Sequence, residues 1–274
     1  MSEINQPNPG QDVATQAKLQ QVQSQFGPVA ADYVTSKVHA SGQDLAWLVE
    51  AAALTGVERV LDIATGGGHA AFALAPHAAE VVALDLTPPM LEVAQKEAEA
   101  RNLRNIRFLA GDAQSIPCED RSFDVVVCRQ AAHHFPNVRQ CVSEWARVLK
   151  PGGKMILIDS VSPEEPEADA FLEQVEILRD PSHVRNQRIS QWKALLNDAG
   201  FAVDQVRAWG ILLDMDSWTQ RMRTPPAAVA TIERLLRDAS EDIRARLQIE
   251  LRQDGTFAFM LPAVLVVALS PRKS

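Results

Sequence analysis

The chain has 274 residues, 46% of them hydrophobic, and a formal net charge of −8 at pH 7. That length suits one α/β domain of about 200 residues with additions, and the apolar share supplies a large core. The acidic balance excludes a broad nucleic-acid groove, which needs lysine and arginine to displace phosphate counterions.

Residues 1–12 are polar, carry Pro7 and Pro9, and lack the apolar core of a secretion signal. They are predicted to form a flexible tail. Leu19, Val22 and Phe26 then recur at i, i+3 and i+7, so Ala14 to Phe26 is predicted as an amphipathic helix. Gly27-Pro28 ends it. A second helix, Ala30 to Val38, carries Tyr33, and residues 13–50 together form an N-terminal helical cover ahead of the main domain at 51–274.

The most informative stretch is Val60-Leu61-Asp62-Ile63-Ala64-Thr65-Gly66-Gly67-Gly68-His69-Ala70-Ala71. A short apolar run, a glycine loop and a helix start predict a strand, a turn and a helix. Glycines let the backbone approach a ligand closely, and the free N–H groups of a helix start favour anionic groups. Two nucleotides compete for such a loop. Gly66 to Ala71 satisfies the loose G-x-G-x-x-A dinucleotide pattern, and Asp85 follows 19 residues after Gly66, where a ribose-binding acid belongs. Asp62, four residues before Gly66, would repel a pyrophosphate but suits an ammonium group.

The remaining elements come in a regular order. Val81 to Asp85 is a second buried strand, and Thr87 and Pro88 are placed to cap and open the helix after it. Ile106 to Ala110 is the third strand, followed by Gly111-Asp112-Ala113. Phe123 to Cys128 is the fourth, and Lys150-Pro151-Gly152-Gly153 turns into the fifth, Met155 to Asp159. Such alternation predicts a doubly wound parallel sheet covered by helices on both faces. Phe201 to Trp209 reads as strand six and Phe257 to Leu269 as an antiparallel strand seven.

From about Ala52 to Ser160 this ordered set resembles class I S-adenosylmethionine-dependent methyltransferases, in particular the small-molecule branch that includes quinone C-methyltransferases. One departure is Ala64, which stands where the usual first glycine would be. The resemblance implies a Rossmann-like fold and S-adenosylmethionine as cofactor, with S-adenosylhomocysteine as product. It places Asp62, Ala64, Gly66 and Gly68 at the methionine end. Asp85 with Leu86 falls at the ribose, Asp112 with Ala113 at the adenine, and Arg129 beneath the cofactor through its backbone. Phe26 to Tyr33 resembles the N-terminal cover of such enzymes. Tyr33 there lies over the cofactor or anchors the arm. His69 either meets the methionine carboxylate or simply occupies the first helical turn.

Substrate-side residues fall outside the shared core. After strand four comes Arg129-Gln130-Ala131-Ala132-His133-His134, with no Asn/Asp-Pro-Pro-aromatic motif of nucleic-acid amino-methyltransferases. His134 is a candidate base or substrate contact, and His133 lies beside it. An insertion at about 162–190 adds His183 as a rival base, with Arg179 and Asp180 as pocket candidates or as a surface turn. Ser190 is placed to cap the following helix, Gln191 to Ala199. A second insertion, 214–251, has helical spacing and predicts a small cap, with Trp218, Arg221 and Met222 in its core or on the pocket wall. No metal is expected, since neither the paired histidines nor Cys118, Cys128 and Cys141 have ligand spacing.

The expectation is an enzyme that methylates a small molecule at oxygen, nitrogen or activated carbon, without nucleic-acid or membrane partners. Unpaired cysteines point to a reduced cytoplasmic setting. A catalytically silent binding protein and a nicotinamide oxidoreductase are the alternatives.

Overall fold

The computed structural model describes residues 9–30 and 42–271. Tyr33 and the predicted helix around it lie outside the described residues. Helix α1 spans Pro9–Phe26 and starts inside the segment expected to be a tail, with Pro9 at its first position, where a missing N–H costs nothing. A 3-10 turn, Gly27–Val29, ends it.

The sheet follows from apolar runs too short for helices and rich in Val, Ile and Leu. Its strands are β1 Arg59–Ile63, β2 Glu80–Asp85, β3 Ile106–Ala110, β4 Phe123–Arg129, β5 Leu149–Ser160, β6 Ala202–Asp214, β7 Glu250–Leu251 and β8 Phe257–Leu269. The order is β3-β2-β1-β4-β5-β8-β6, with the short β7 added to β8. β1 to β5 pair in parallel, whereas β8 runs antiparallel to both β5 and β6. β8 is therefore the predicted antiparallel strand.

Two of the strands needed correction and one was not expected. β5 begins at Leu149 rather than Met155, because Leu149 pairs with Phe123 before a register shift at the Pro-Gly-Gly turn. β6 runs five residues past Trp209, held by continuous pairing down to Asp214–Ala258. β7 carries no pattern of its own and exists only through its pairing with β8.

Alternate residues of each strand face opposite layers. Leu61, Val82, Val126 and Leu157 pack with Trp145 and Trp192 of helices α5 (Val138–Val148) and α7 (Ile189–Asp198). Val60, Val81, Val127 and Ile158 pack with α2 (Gln43–Ala52) and α3 (His69–Leu74). Helix α4, Pro88–Ala100, starts after Thr87 as expected, but the Thr87 side chain makes no capping bond. α7 starts one residue before the predicted cap, and Ser190 donates to Glu164 instead of capping.

A third apolar cluster holds the cap together. It joins α6 (Pro166–Arg179), α8 (Met215–Arg221), α9 (Pro226–Asp238) and α10 (Glu241–Leu247) to the far half of β8, with Trp218, Ile232, Leu236 and Leu247 buried. No described helix is long and apolar enough to cross a membrane.

Candidate active site

Strand order reverses between β1 and β4, and a crevice opens at the carboxyl ends of the strands there, where ligands bind in open α/β sheets. A cavity of about 490 Å³ fills this position. Its floor comes from β1, β2 and β4, and its far wall from β6, α6 and the cap. Its roof includes Leu19, Val22 and Phe26 of α1. The roof helix is tied on three sides: Lys18 donates to Pro181 O (2.8 Å), Gln23 to Leu86 O (2.8 Å) and Gln25 to Met222 O (3.3 Å).

Asp62 is 1% exposed on the sheet face that is otherwise apolar. Its Oδ2 accepts from Thr65 Oγ1 (2.6 Å) and from the Ala71 N–H (3.1 Å). Its Oδ1 has no hydrogen-bond partner among the described residues, and Asp62 lines the cavity. Burial pushes its pKa up to about 6, against the pull of those two donors and of the nearby Arg129 charge. Ala64 and Gly66 both have positive φ, 53° and 52°. At Gly66 a Cβ would stand in open space, so the loop leaves a vacant cradle at its tip. Gly68, at φ 85°, does not line the cavity. A Cβ there would lie 2.4 Å from the Phe72 ring, so this glycine serves the turn and helix packing.

Asp85 clamps the loop. Its Oδ2 accepts the Gly66 N–H and its Oδ1 the Thr87 N–H, both at 2.8 Å. A carboxylate offers about four acceptor sites, so both oxygens retain capacity towards the cavity. Burial raises its pKa despite these donors. Leu86, Asp112 and Ala113 line the same end. Gln114 occupies part of Asp112, through its N–H at 2.9 Å and its side-chain amide at 3.2 Å. His69 is buried at the start of α3 and lines the cavity.

The Arg129 side chain was expected to matter less than its backbone. It lines the cavity and pairs through Nε with Asp44 of α2 at 2.6 Å, both side chains nearly buried. Asp44 and Trp47 were missed in the sequence, where α2 shows only an amphipathic pattern. Ile211 and Leu213 were missed as wall residues because β6 was read too short, and Trp209 because nothing in its strand marks it as facing the cavity.

On the substrate side, His133, His134, Arg179, Asp180, Trp218 and Arg221 all line the cavity. Arg179 lies over the Trp218 ring, 4.6 Å from its centroid, and 3.8 Å from Glu176. Asp180 accepts from the Ser182 N–H (2.8 Å) and hydroxyl (2.6 Å). His183 does not reach the cavity. It is 3% exposed, stacks on His133 and pairs with Glu173 at 3.4 Å, because its loop folds beneath the 3-10 turn Ala132–His134.

The two adjacent histidines differ. His133 Nδ1 lies 2.6 Å from Asp159 Oδ1, and its N–H donates to Asp159 Oδ2 at 3.0 Å. Burial works against its charged form, but the Asp159 carboxylate, Glu176 and Asp180 raise its pKa above the ordinary imidazole value. His134 is held well below that value by burial and by the neighbouring His133 charge. Its Nδ1 meets Ser182 O at 3.2 Å, and its ring packs edge-on against Phe26. Among the described residues no group of three or more His, Cys, Asp or Glu is arranged to hold a metal ion.

A buried carboxylate with one open oxygen and a second clamping a glycine loop thus share one cavity with the histidine and tryptophan side chains of the far end. Residues 61–157 match the methyltransferase domain model. The chain is 40% identical over 242 residues to the uncharacterized methyltransferase YcgJ of Bacillus subtilis, covering 88% of this chain and 96% of the relative. The crystal structure of YcgJ superposes with a TM-score of 0.82 at 38% identity, covering 85% of this chain and 99% of that chain. The uncharacterized protein YafE of Escherichia coli is 42% identical over 190 residues, 69% of this chain and 91% of the relative. A demethylmenaquinone methyltransferase of Deinococcus radiodurans is 39% identical over 154 residues, 54% of this chain and 64% of the relative. The chain belongs to the methyltransferase domain family, whose class I members use S-adenosylmethionine.

Proposed function

We propose that this cavity binds S-adenosylmethionine at the β1–β2 end and methylates a small molecule in the chamber beneath the cap. The observation that carries this reading is Asp62. A fully buried carboxylate with its pKa at about 6 is costly unless a cation completes its environment, and its open Oδ1 suits the methionine ammonium. Arg129, with only Nε committed to Asp44, holds the methionine carboxylate beside it. Gly66 and Ala64 let the loop backbone close on this end, and His69 completes the wall.

Asp85 accepts the ribose hydroxyls on the lone pairs left by Gly66 and Thr87, and Leu86 covers the sugar. Asp112 and Ala113 form the adenine end, with Gln114 yielding part of the Asp112 carboxylate. When bound, the sulfonium supplies an activated methyl group. The protein then has to orient the acceptor and exclude water, which is worth on the order of 7–11 kcal/mol in favourable cases. α1 as a roof and the apolar cap as a wall serve that end. A nicotinamide cofactor does not fit, since its pyrophosphate would face Asp62.

Calorimetric titration with S-adenosylmethionine, S-adenosylhomocysteine and NADH tests the assignment. Binding of the adenosyl compounds alone is expected. Binding of NADH alone, or of none of the three, overturns it.

A further inference from the structure

His133 is fixed at every polar atom but one. Its N–H and Nδ1 both meet Asp159 of β5. Its carbonyl accepts from the N–H groups of Val184 (2.8 Å) and Arg185 (3.0 Å). Its ring neighbours those of His134, centroids 4.2 Å apart, and His183, centroids 5.7 Å apart. The carboxylate beside Nδ1 is an acceptor, so Nδ1 carries the proton and Nε2 keeps a lone pair. Nε2 has no hydrogen-bond partner among the described residues, and the residue lines the cavity with its side chain 16% exposed. A ring held at Nδ1, on a backbone fixed at both its N–H and its carbonyl and beside two other imidazoles, with one basic nitrogen left open, is built to receive a proton.

The same chamber restricts the acceptor. Its wall of Trp209, Ile211, Leu213, Trp218, Met222 and Leu261 fits a flat apolar body. Two of its carboxylates face arginines, Glu176 towards Arg179 and Asp44 towards Arg129, while Asp180 takes both donors of Ser182 on Oδ1. Phenolic and enolic hydroxyls lie closer in acidity to an imidazole than aliphatic ones, so they are the better match for such a base.

We infer that His133 is the general base of the transfer, positioned by Asp159, and that the acceptor is a phenolic or enolic hydroxyl on a flat apolar body. This rests on the cofactor assignment proposed above. His133 Nε2 takes the hydroxyl proton as the acceptor oxygen bonds to the methyl carbon. The C–S bond breaks with its electron pair remaining on sulfur, which leaves a neutral thioether, a methyl ether and an imidazolium. The groups facing that imidazolium are Asp159 of β5, Glu176 of α6, Asp180 and His183 of the insertion, and His134 of its own turn. The carboxylates stabilise it, while His134 is held neutral.

Labelled S-adenosylmethionine offered with 2-naphthol, 2-naphthoate or 1-naphthylmethylamine tests the acceptor class. Transfer to 2-naphthol in clear preference is expected. No transfer to it, or equal transfer to the acid or amine, overturns the inference. His133→Asn keeps an amide N–H where Nδ1 stands, so it preserves the Asp159 contact while removing the base. It should lower kcat on 2-naphthol by about 10²–10⁴-fold with S-adenosylhomocysteine affinity unchanged, and full activity overturns the role. Nitrogen NMR of the ring in the unliganded protein should report the Nδ1–H tautomer. It should also report a pKa that falls in Asp159→Asn, together with the acid limb of the rate profile. An Nε2–H tautomer, or a pKa indifferent to Asp159→Asn, refutes the pairing. Calorimetry on the same samples keeps the two readings apart, since loss of S-adenosylhomocysteine binding in the wild-type protein sinks the cofactor assignment instead.

Discussion

Asp62→Asn should make the unliganded protein more stable and its cofactor affinity lower, both from one cause. Burial raises the Asp62 pKa from 3.8 to about 6. At 1.36 kcal/mol per unit this corresponds to about 3 kcal/mol of folding free energy lost when the group must be ionised. The sign follows from proton counts. Between pH 4 and 6 the folded state holds the proton more tightly than the unfolded one, so this group's contribution falls as pH rises through that window and is flat above it. Asparagine can still accept from Thr65 and Ala71 through its carbonyl and carries no charge to bury. Urea unfolding at pH 8 should therefore favour the variant by about 1–3 kcal/mol, allowing for relaxation around the site. At pH 4 the two proteins should nearly coincide. S-adenosylhomocysteine affinity in the variant should drop by about 10- to 100-fold, as expected for losing a charge-assisted hydrogen bond. In the wild type it should weaken as pH falls below about 6. A stability difference that does not change with pH, or equal affinity in the two proteins, would refute the reasoning.

Two glycines of one loop should fail in different ways. Gly68→Ala combines a φ of 85° with a Cβ 2.4 Å from the Phe72 ring, so the urea midpoint should fall by the equivalent of about 1–3 kcal/mol. Gly66→Ala meets no atom within 4 Å. It should cost about 1 kcal/mol of stability for its positive φ but lose most cofactor affinity by calorimetry, because its methyl enters the cradle. Trp218→Ala empties a site 2% exposed, with Phe259 edge-on at 5.1 Å. It should destabilise the protein by about 3–5 kcal/mol while calorimetry finds S-adenosylhomocysteine binding nearly unchanged.

Local order along the chain was enough to identify the parallel core and to bring Asp62, Gly66, Asp85 and Asp112 to one cavity. Val60 to Ile63 and Val81 to Asp85 are buried strands whose composition admits little else, and Ile106 to Ala110 adds a half-exposed edge strand beside them. Asp62, Gly66, Asp85 and Asp112 sit at strand ends, so naming the strand placed the residue. Pairing decided what local pattern could not. β6 continues to Asp214 and β7 exists because β8 offers them hydrogen bonds, a non-local gain that leaves no periodicity behind. α1 starts at Pro9 in a polar stretch that no apolar stripe marks.

The substrate end depended still more on the tertiary structure. His133, His134 and His183 read alike as letters. Only the fold brings Asp159 from β5 to one of them, Ser182 to the second and Glu173 to the third, and so couples one cavity-lining ring to a carboxylate while holding His183 away from the cavity. Asp44 and Arg129 are 85 positions apart and form a pair inside the cavity that neither segment announces. Short-range sterics and burial are written into neighbouring residues, so a strand or a glycine turn can be read from them. A proton-accepting site depends on the charges and dipoles that surround it, and those come from segments distant in the chain.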